Sequence, residues 1–310
     1  MNKVKTVYDH IRSNNIKTIL LVICFPLIFI ALIFLFTWIV APAQTAMETA
    51  VRVAIPTFIA CAVWLLISWA FGDSMMLNSA HAHEIFDTDA ENREIFRSVE
   101  NVAIAAGLPR PRVYIIDDDS MNAFATGRTP RDASVALTRG IIKKLNKLEL
   151  EGVIAHEMAH IGNRDIRLDM MLITGVGVTV FAADMILRMA MVSGNDNDNK
   201  NNGAAILIMV WLAFMVFNWI ITPILRMAVS RNREYAADAT GAQITHNPMA
   251  LANALRKITT DSRVECLDKV KSMATVCIAN PSGPREFISS LMATHPPVEK
   301  RIERLESMAS

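Results

Sequence analysis

Four stretches of the chain are apolar without a break for long enough to cross a bilayer, which takes about 20 helical residues at 1.5 Å rise each. They cover residues 18–40, 51–71, 170–192 and 204–225. The first two are joined by the short APAQTAMETA and the last two by SGNDNDNKNNG, a polar, turn-rich link, so each pair is expected to form a helical hairpin. The first run follows Lys3, Lys5, Arg12 and Lys17, with Ala41-Pro42-Ala43 after it, which is also how a secretory signal begins. It is longer than a signal's apolar core, and an uncleaved anchor is the preferred reading.

The pattern changes between the hairpins. Residues 81–107 carry apolar positions at Ile95, Val99, Val102 and Ala106 and stop at Gly107-Leu108-Pro109, which predicts a helix. RVYIID (112–117), MNAFATG (121–127) and ASVALT (133–138) are short β-prone runs between Asp, Gly, Pro and Arg clusters, and predict a small sheet. Helical periodicity resumes at Ile141. The last 85 residues are expected to be mostly helical, broken by the Pro/Gly loop NPSGPRE at 280–286. The fold class predicted is a mainly α membrane protein with four transmembrane helices and an α+β domain containing a small β-sheet. Its parts are 1–71, an N-terminus and first hairpin; 72–169, the sheet and the helix after it; 170–225, the second hairpin; and 226–310, a helical tail.

Charge turns this pattern into a topology. Of 31 Lys and Arg, four fall in 1–17, twelve in 72–168 and twelve in 226–310; the others are Arg52, Arg188 and Lys200. By the positive-inside rule those three stretches are cytoplasmic, both termini included, and both links lie outside. Asp184 and Arg188 sit inside the third run, spaced i, i+4 near its outer end, and read as an ion pair with a snorkelling Arg. A hydrophobic share of 52% and a mean hydropathy of +0.31 in 310 residues suit a mixed membrane and aqueous protein. A net charge of +1 without a basic–aromatic cluster argues against nucleic acid. Cys24, Cys61, Cys266 and Cys277 make no CxxC and read as reduced packing residues, and the 18 Met scatter as packing residues do.

The chemistry lies in HEMAH, residues 156–160. His156 and His160 stand four apart, so on a helix both imidazoles leave one face and can grip one Zn²⁺. Glu157 emerges beside them, where it can take a proton from a water that zinc has made acidic. A catalytic zinc wants a third protein ligand. The metzincin continuation would need Gly at 163 and His at 166, where this chain has Asn163 and Ile166. The other common solution is a glutamate from a separate helix, and SRNREYAADATGA (230–242) supplies Glu234 just after the fourth apolar run. The out-and-back hairpin between His160 and Glu234 returns the chain to the compartment it left. Asp165, the rival acid, follows the histidines by five residues at the wrong azimuth for their helix. Asp238, one turn after Glu234, is suited to hold a ligand histidine's other N–H. His81, His83, His10 and His246 read as surface residues.

With two apolar runs, HEMAHIGNRD, two more runs and SRNREYAADATGA in that order, the chain resembles the HtpX family of bacterial membrane zinc metalloproteases, gluzincin-type relatives of the CAAX prenyl endoproteases. The resemblance implies an ATP-independent endopeptidase of the bacterial inner membrane, with one Zn²⁺ and a cytoplasmic active site. Its substrates would be damaged or misfolded membrane proteins or other unfolded polypeptides, in quality control and the stress response, with no nucleotide and no nucleic acid. MNAFATG resembles the edge strand that such enzymes lay along an extended substrate, which points to Asn122 and Ala123 as substrate contacts. THPPVEKRIERL resembles a C-terminal pattern in which His295 stabilises the tetrahedral oxyanion and Arg301 braces the site or the substrate backbone. Processing of lipid-modified peptides and a non-catalytic zinc-binding scaffold are the alternatives.

Overall fold

The computed structural model describes residues 7–40, 46–193, 207–208, 210–217, 219, 231–259 and 296–309. Three expected apolar spans each fall inside one long helix: α1 (Val7–Val40), α2 (Ala46–Ser79) and α6 (Asp165–Ser193). The fourth falls largely outside the described residues, apart from a helical segment at 210–217. Pro26 and Pro56 lie within α1 and α2, where lipid-embedded helices tolerate proline better than soluble ones. Among the described residues, one helical stretch, Phe58–Ser79, meets the joint length and hydropathy requirements for crossing a membrane, with 22 residues at a mean hydropathy of 1.6. The large exposed apolar side chains concentrate on these helices, Ile19, Leu27, Ile55, Phe58 and Leu66 among them. Asp184 and Arg188 pair at 2.8 Å on α6, as their spacing predicts.

A four-stranded mixed sheet follows α2. Its strands are β1 (Ala82–Ile85), β2 (Arg112–Ile116), β3 (Ala123–Thr126) and β4 (Ser134–Thr138), in the order β1-β2-β4-β3. β1 runs antiparallel to β2, β2 parallel to β4, and β3 antiparallel to β4. All three expected strands are present, but the helix expected over 81–107 is not continuous. Residues 82–85 form β1 instead, because their backbone completes the β2 edge while only Ile85 is buried, too little for a periodic signal. Helix α3 occupies Arg93–Ala105 and ends where expected: Gly107 takes φ +65°, and Leu108 N–H bonds back to Ala103 O.

Side-chain alternation divides the core in two. Val113, Ile115, Val135, Leu137, Ala123 and Ala125 face one way, toward α3, α5 (Lys147–Gly162) and the C-terminal helices. Tyr114, Ile116, Ala136 and Phe124 face the other way, onto Met76 and Leu77 at the end of α2 and Leu168–Ile173 at the start of α6. The sheet is thus a partition between the ends of the apolar helices and the helix carrying HEMAH. A short α4 (Arg139–Lys144) leads into α5, and α7 (Arg231–Thr245), α8 (Pro248–Ile258) and α9 (Val298–Ala309) close the far side.

Candidate metal centre

Helix α5 starts at a capping box in which Asn146 Oδ1 accepts from Glu149 N–H while the Glu149 carboxylate accepts from Asn146 N–H. Lys257 of α8 holds the same carboxylate at 2.7 Å. The helix is buried on every side from Gly152 to Ala159, which fits its Ala- and Gly-rich sequence and its place between the sheet and two helices. Gly241 of α7 lies against the backbone of α5 at His156, where a Cβ would stand 3.1 Å from His156 N. That closeness sets α7's ligand face on α5: Glu234, Asp238 and Gly241 follow the i, i+4, i+7 rule.

On that face His156 Nε2 and His160 Nε2 lie 3.2 Å apart, and the two Glu234 oxygens stand 3.8 and 3.7 Å from them. One ligand atom from each residue falls within 4.8 Å of the others, the only such cluster among the described residues. His156 and Glu234 are 1% exposed, and His160 is 11% exposed in its side chain. Two imidazoles and a carboxylate converging in a buried pocket suit a zinc-type ion by donor chemistry.

The ring nitrogens that face away also have partners. His156 Nδ1 lies 3.0 Å from Asp238 Oδ1, out of line for a straight hydrogen bond, and Arg301 clamps both Asp238 oxygens at 2.7 and 2.8 Å. His160 Nδ1 lies 2.7 Å from Asp165 Oδ2. Asp165 thus backs His160 and takes no place beside Glu234. The azimuth argument that set it aside assumed one helix, but Arg164 at φ +59° ends α5, and Asp165 opens α6 with its carboxylate turned back. Beyond it, Arg233 bonds both oxygens of Asp169 at 3.0 and 2.9 Å. Asp165, Asp169, Arg233 and Gly241 were not assigned to the site from sequence; a carboxylate at the first position after a helix break is the signal that could have found Asp165.

Burial lowers the His156 pKa to about 4, with Arg301 and His160 acting in the same direction. Burial also pushes His160 down, but Glu234 and Asp165 outweigh it and raise that ring to about 9. Glu157, 1% exposed, is raised to about 7 by burial with help from Glu234, against His160, Arg301 and a bond from Ala125 N–H. Burial raises Asp238, and the Arg301 guanidinium more than reverses it, holding the carboxyl well below the usual range.

The expected substrate contacts sit close by. β3 is one of the sheet's two edge strands and packs along α5. Asn122 O accepts from Thr138 N on β4, so by alternation Ala123 and Ala125 turn their main-chain groups to the outer edge, where Ala125 N–H meets Glu157. Asn122 and Ala123 are 2% and 1% exposed, and Ala123 N–H donates to Asn122 Oδ1 at 2.9 Å. Arg301 has no exposed surface; besides clamping Asp238, one of its guanidinium nitrogens lies 3.4 Å from His156 Nε2. His295, Cys266, Cys277 and the 280–286 loop lie outside the described residues. His83 and His246 are exposed, and Cys24 and Cys61 are free thiols.

Residues 89–309 match the model of peptidase family M48. The chain belongs to peptidase family M48. It is therefore a metalloprotease, and membership implies a metal, which His156, His160 and Glu234 are arranged to be able to hold. Relatives of this M48 peptidase include a "Protease HtpX homolog" from Thermoanaerobacter pseudethanolicus, 40% identical over 309 residues and 98% of both chains. Those from Bacteroides fragilis and Ligilactobacillus salivarius, with the same title, are 36% and 38% identical, covering 94% and 97% of this chain and 96% and 100% of their own. The crystal structure of S. mikatae Ste24p superposes with a TM-score of 0.46 at 17% identity, covering 94% of this chain and 65% of that one, so this peptidase spans about two thirds of its length.

Proposed function

We propose that the protein is a zinc endopeptidase of the bacterial inner membrane, with His156, His160 and Glu234 holding the ion and Glu157 serving as general base and acid. The observation that carries this reading is the convergence of those three donors within 4.8 Å, on two helices, beside a buried glutamate. When bound, zinc supplies the Lewis acidity that makes water a competent nucleophile near neutral pH. Glu157 takes the proton of the attacking water and returns it to the leaving amine, for which a pKa of about 7 is well matched. Asp238, backed by Arg301, and Asp165 fix the tautomer and orientation of the two rings. An extended peptide adds to the β3 edge at Asn122 and Ala123, which brings its backbone alongside Glu157. His295 is assigned to the oxyanion on the resemblance of its motif alone.

Four transmembrane helices, with both termini and the site cytoplasmic, are supported by the apolar runs, the exposed apolar side chains of α1, α2 and α6, and the Lys/Arg distribution. The parts 1–71, 72–169, 170–225 and 226–310 follow from it. Asp165 lies on the first turn of a helix that is apolar from about residue 170, so the site is within a few turns of the headgroups. That position suits cytoplasmic segments of damaged or misfolded membrane proteins as substrates.

The test is digestion of an unfolded protein by the purified chain in detergent, with metal analysis. Chelator-sensitive cleavage, and a Glu157→Gln variant that keeps its zinc while losing about 10²- to 10⁴-fold in rate, is the expected result. Unchanged cleavage by Glu157→Gln would refute the general-base role. A scaffold would hold zinc and cleave nothing.

A further inference from the structure

A buried amide at the membrane end of the centre has no part in the reading above. Asn14 lies on α1, the first long apolar helix, and is 4% exposed. Its Nδ2 donates to Asp165 Oδ1 and to the main-chain oxygen of Asn163, the latter at 3.1 Å. Those acceptors flank Arg164, the φ +59° residue at which the chain leaves α5 and begins α6. The other oxygen of the same carboxylate, Asp165 Oδ2, is the one 2.7 Å from His160 Nδ1.

That division constrains the carboxylate. Its two oxygens move together, so a rotation that suits one partner disturbs the other. A competitor is at hand: Arg233 Nε lies 3.8 Å from Asp165 Oδ1, the atom Asn14 engages. Without the Asn14 amide, Oδ1 is left facing that guanidinium in a buried pocket, and the carboxylate swings toward it at the expense of His160. Had Asn14 bonded only Asn163 O, it would tie α1 to a turn and nothing more.

We propose that Asn14 is a positioning residue of the metal centre, acting through Asp165 on the His160 ring, so that the first apolar helix is a component of the site as well as an anchor. This rests on the reading of His160 as a ligand. An asparagine at the junction of α1 with the domain that also orients a ligand links the packing of α1 to metal affinity.

The experiment uses the full-length protein in detergent and the variants Asn14→Leu, Asn14→Ser, Asn14→Gln, Ile19→Ala and His160→Ala. Zinc affinity is read by competition with a chelating dye, ligand geometry by the visible spectrum of the cobalt-loaded protein, and kcat and KM by cleavage of an unfolded test protein. Asn14→Leu is expected to weaken zinc binding about tenfold, near the lower end of what losing an outer partner costs. It should also shift the cobalt bands and lower kcat with little change in KM. Asn14→Ser carries the same expectation with less strain on the packing, and Asn14→Gln, which keeps the donor, should recover part of the loss. Ile19, 58% exposed on the same helix, should be replaceable by Ala without effect. An Asn14→Leu or Asn14→Ser protein that melts earlier but keeps the wild-type zinc affinity, cobalt spectrum and kcat would overturn the proposal. His160→Ala separates the two layers: zinc binding undiminished in that variant would sink the ligand reading and this inference with it.

Discussion

Replacing Gly241 by alanine is expected to separate the stability of the fold from the quality of the metal site. The new Cβ would lie 3.1 Å from His156 N and 3.3 Å from both His156 Cα and Ala155 C. All three are backbone atoms of a helix buried on every side, so they cannot swing aside, and α7 must withdraw by a few tenths of an ångström. Overpacking of this kind costs about 1–3 kcal/mol. Against it, alanine gains about 1 kcal/mol over glycine in a helix interior. The metal-free protein should therefore lose no more than about 2 kcal/mol. Glu234 is carried on the same face two turns away, and metal distances tolerate only about 0.2 Å. If about 1.4 kcal/mol of the strain falls on the ligand geometry, zinc affinity drops about tenfold. Gly241→Val should be worse on both counts. The assay pairs thermal unfolding of the metal-free protein with zinc competition. A Gly241→Ala protein that melts higher and binds zinc as tightly as wild type would show that the contact does not set the spacing of the two ligand helices.

Two further outcomes follow from the buried charges. Arg301→Met strands the Asp238 carboxylate, 2% exposed, and should destabilise the protein by about 3–5 kcal/mol in chemical denaturation, whereas Asp238→Asn with Arg301→Met should recover most of that; equal losses in single and double variants would contradict the pairing. His160 has its pKa raised above the unfolded value of 6.5 to about 9, so in the metal-free protein its pairing stabilises fully below pH 6.5 and is lost as pH rises through about 9. Zinc must displace that proton, and its apparent affinity should climb about tenfold per pH unit between about 7 and 9; affinity flat over that range would count against a protonated His160.

The legible part of the site is the part written in spacing. His156 and His160 could be placed together because four residues make about one helical turn, and Glu234 because apolar runs between it and His160 bring the chain back to where it left. Asp165 is set aside as a ligand from sequence, and its place behind His160 is not legible there, since that place depends on a single left-handed residue, Arg164, that no periodicity announces. β1 escaped for a related reason: with one inward side chain it carries no alternation, and it is a strand only because β2 offers an edge. Asn14 and Gly241 are less readable still. One is a polar residue between Ser13 and Asn15 ahead of an apolar run, the other a small residue whose purpose exists only across the α5–α7 contact.

These particulars bear on why a soluble-looking site is built at the root of apolar helices. The sheet buries Phe124, Tyr114 and Ile116 against α2 and α6 on one face, and Val135, Leu137 and Ala125 toward α5 on the other, so the apolar bundle and the site share one rigid wall. Asp165 opens α6 at the foot of that wall, and Asn14 reaches the same carboxylate from α1. Two of the long helices thus carry, at Asn14 and Asp165, the groups packed behind the His160 ring. With Asn14 positioning that carboxylate as proposed, a change in how those helices pack would reach the site through the bonds that hold His160.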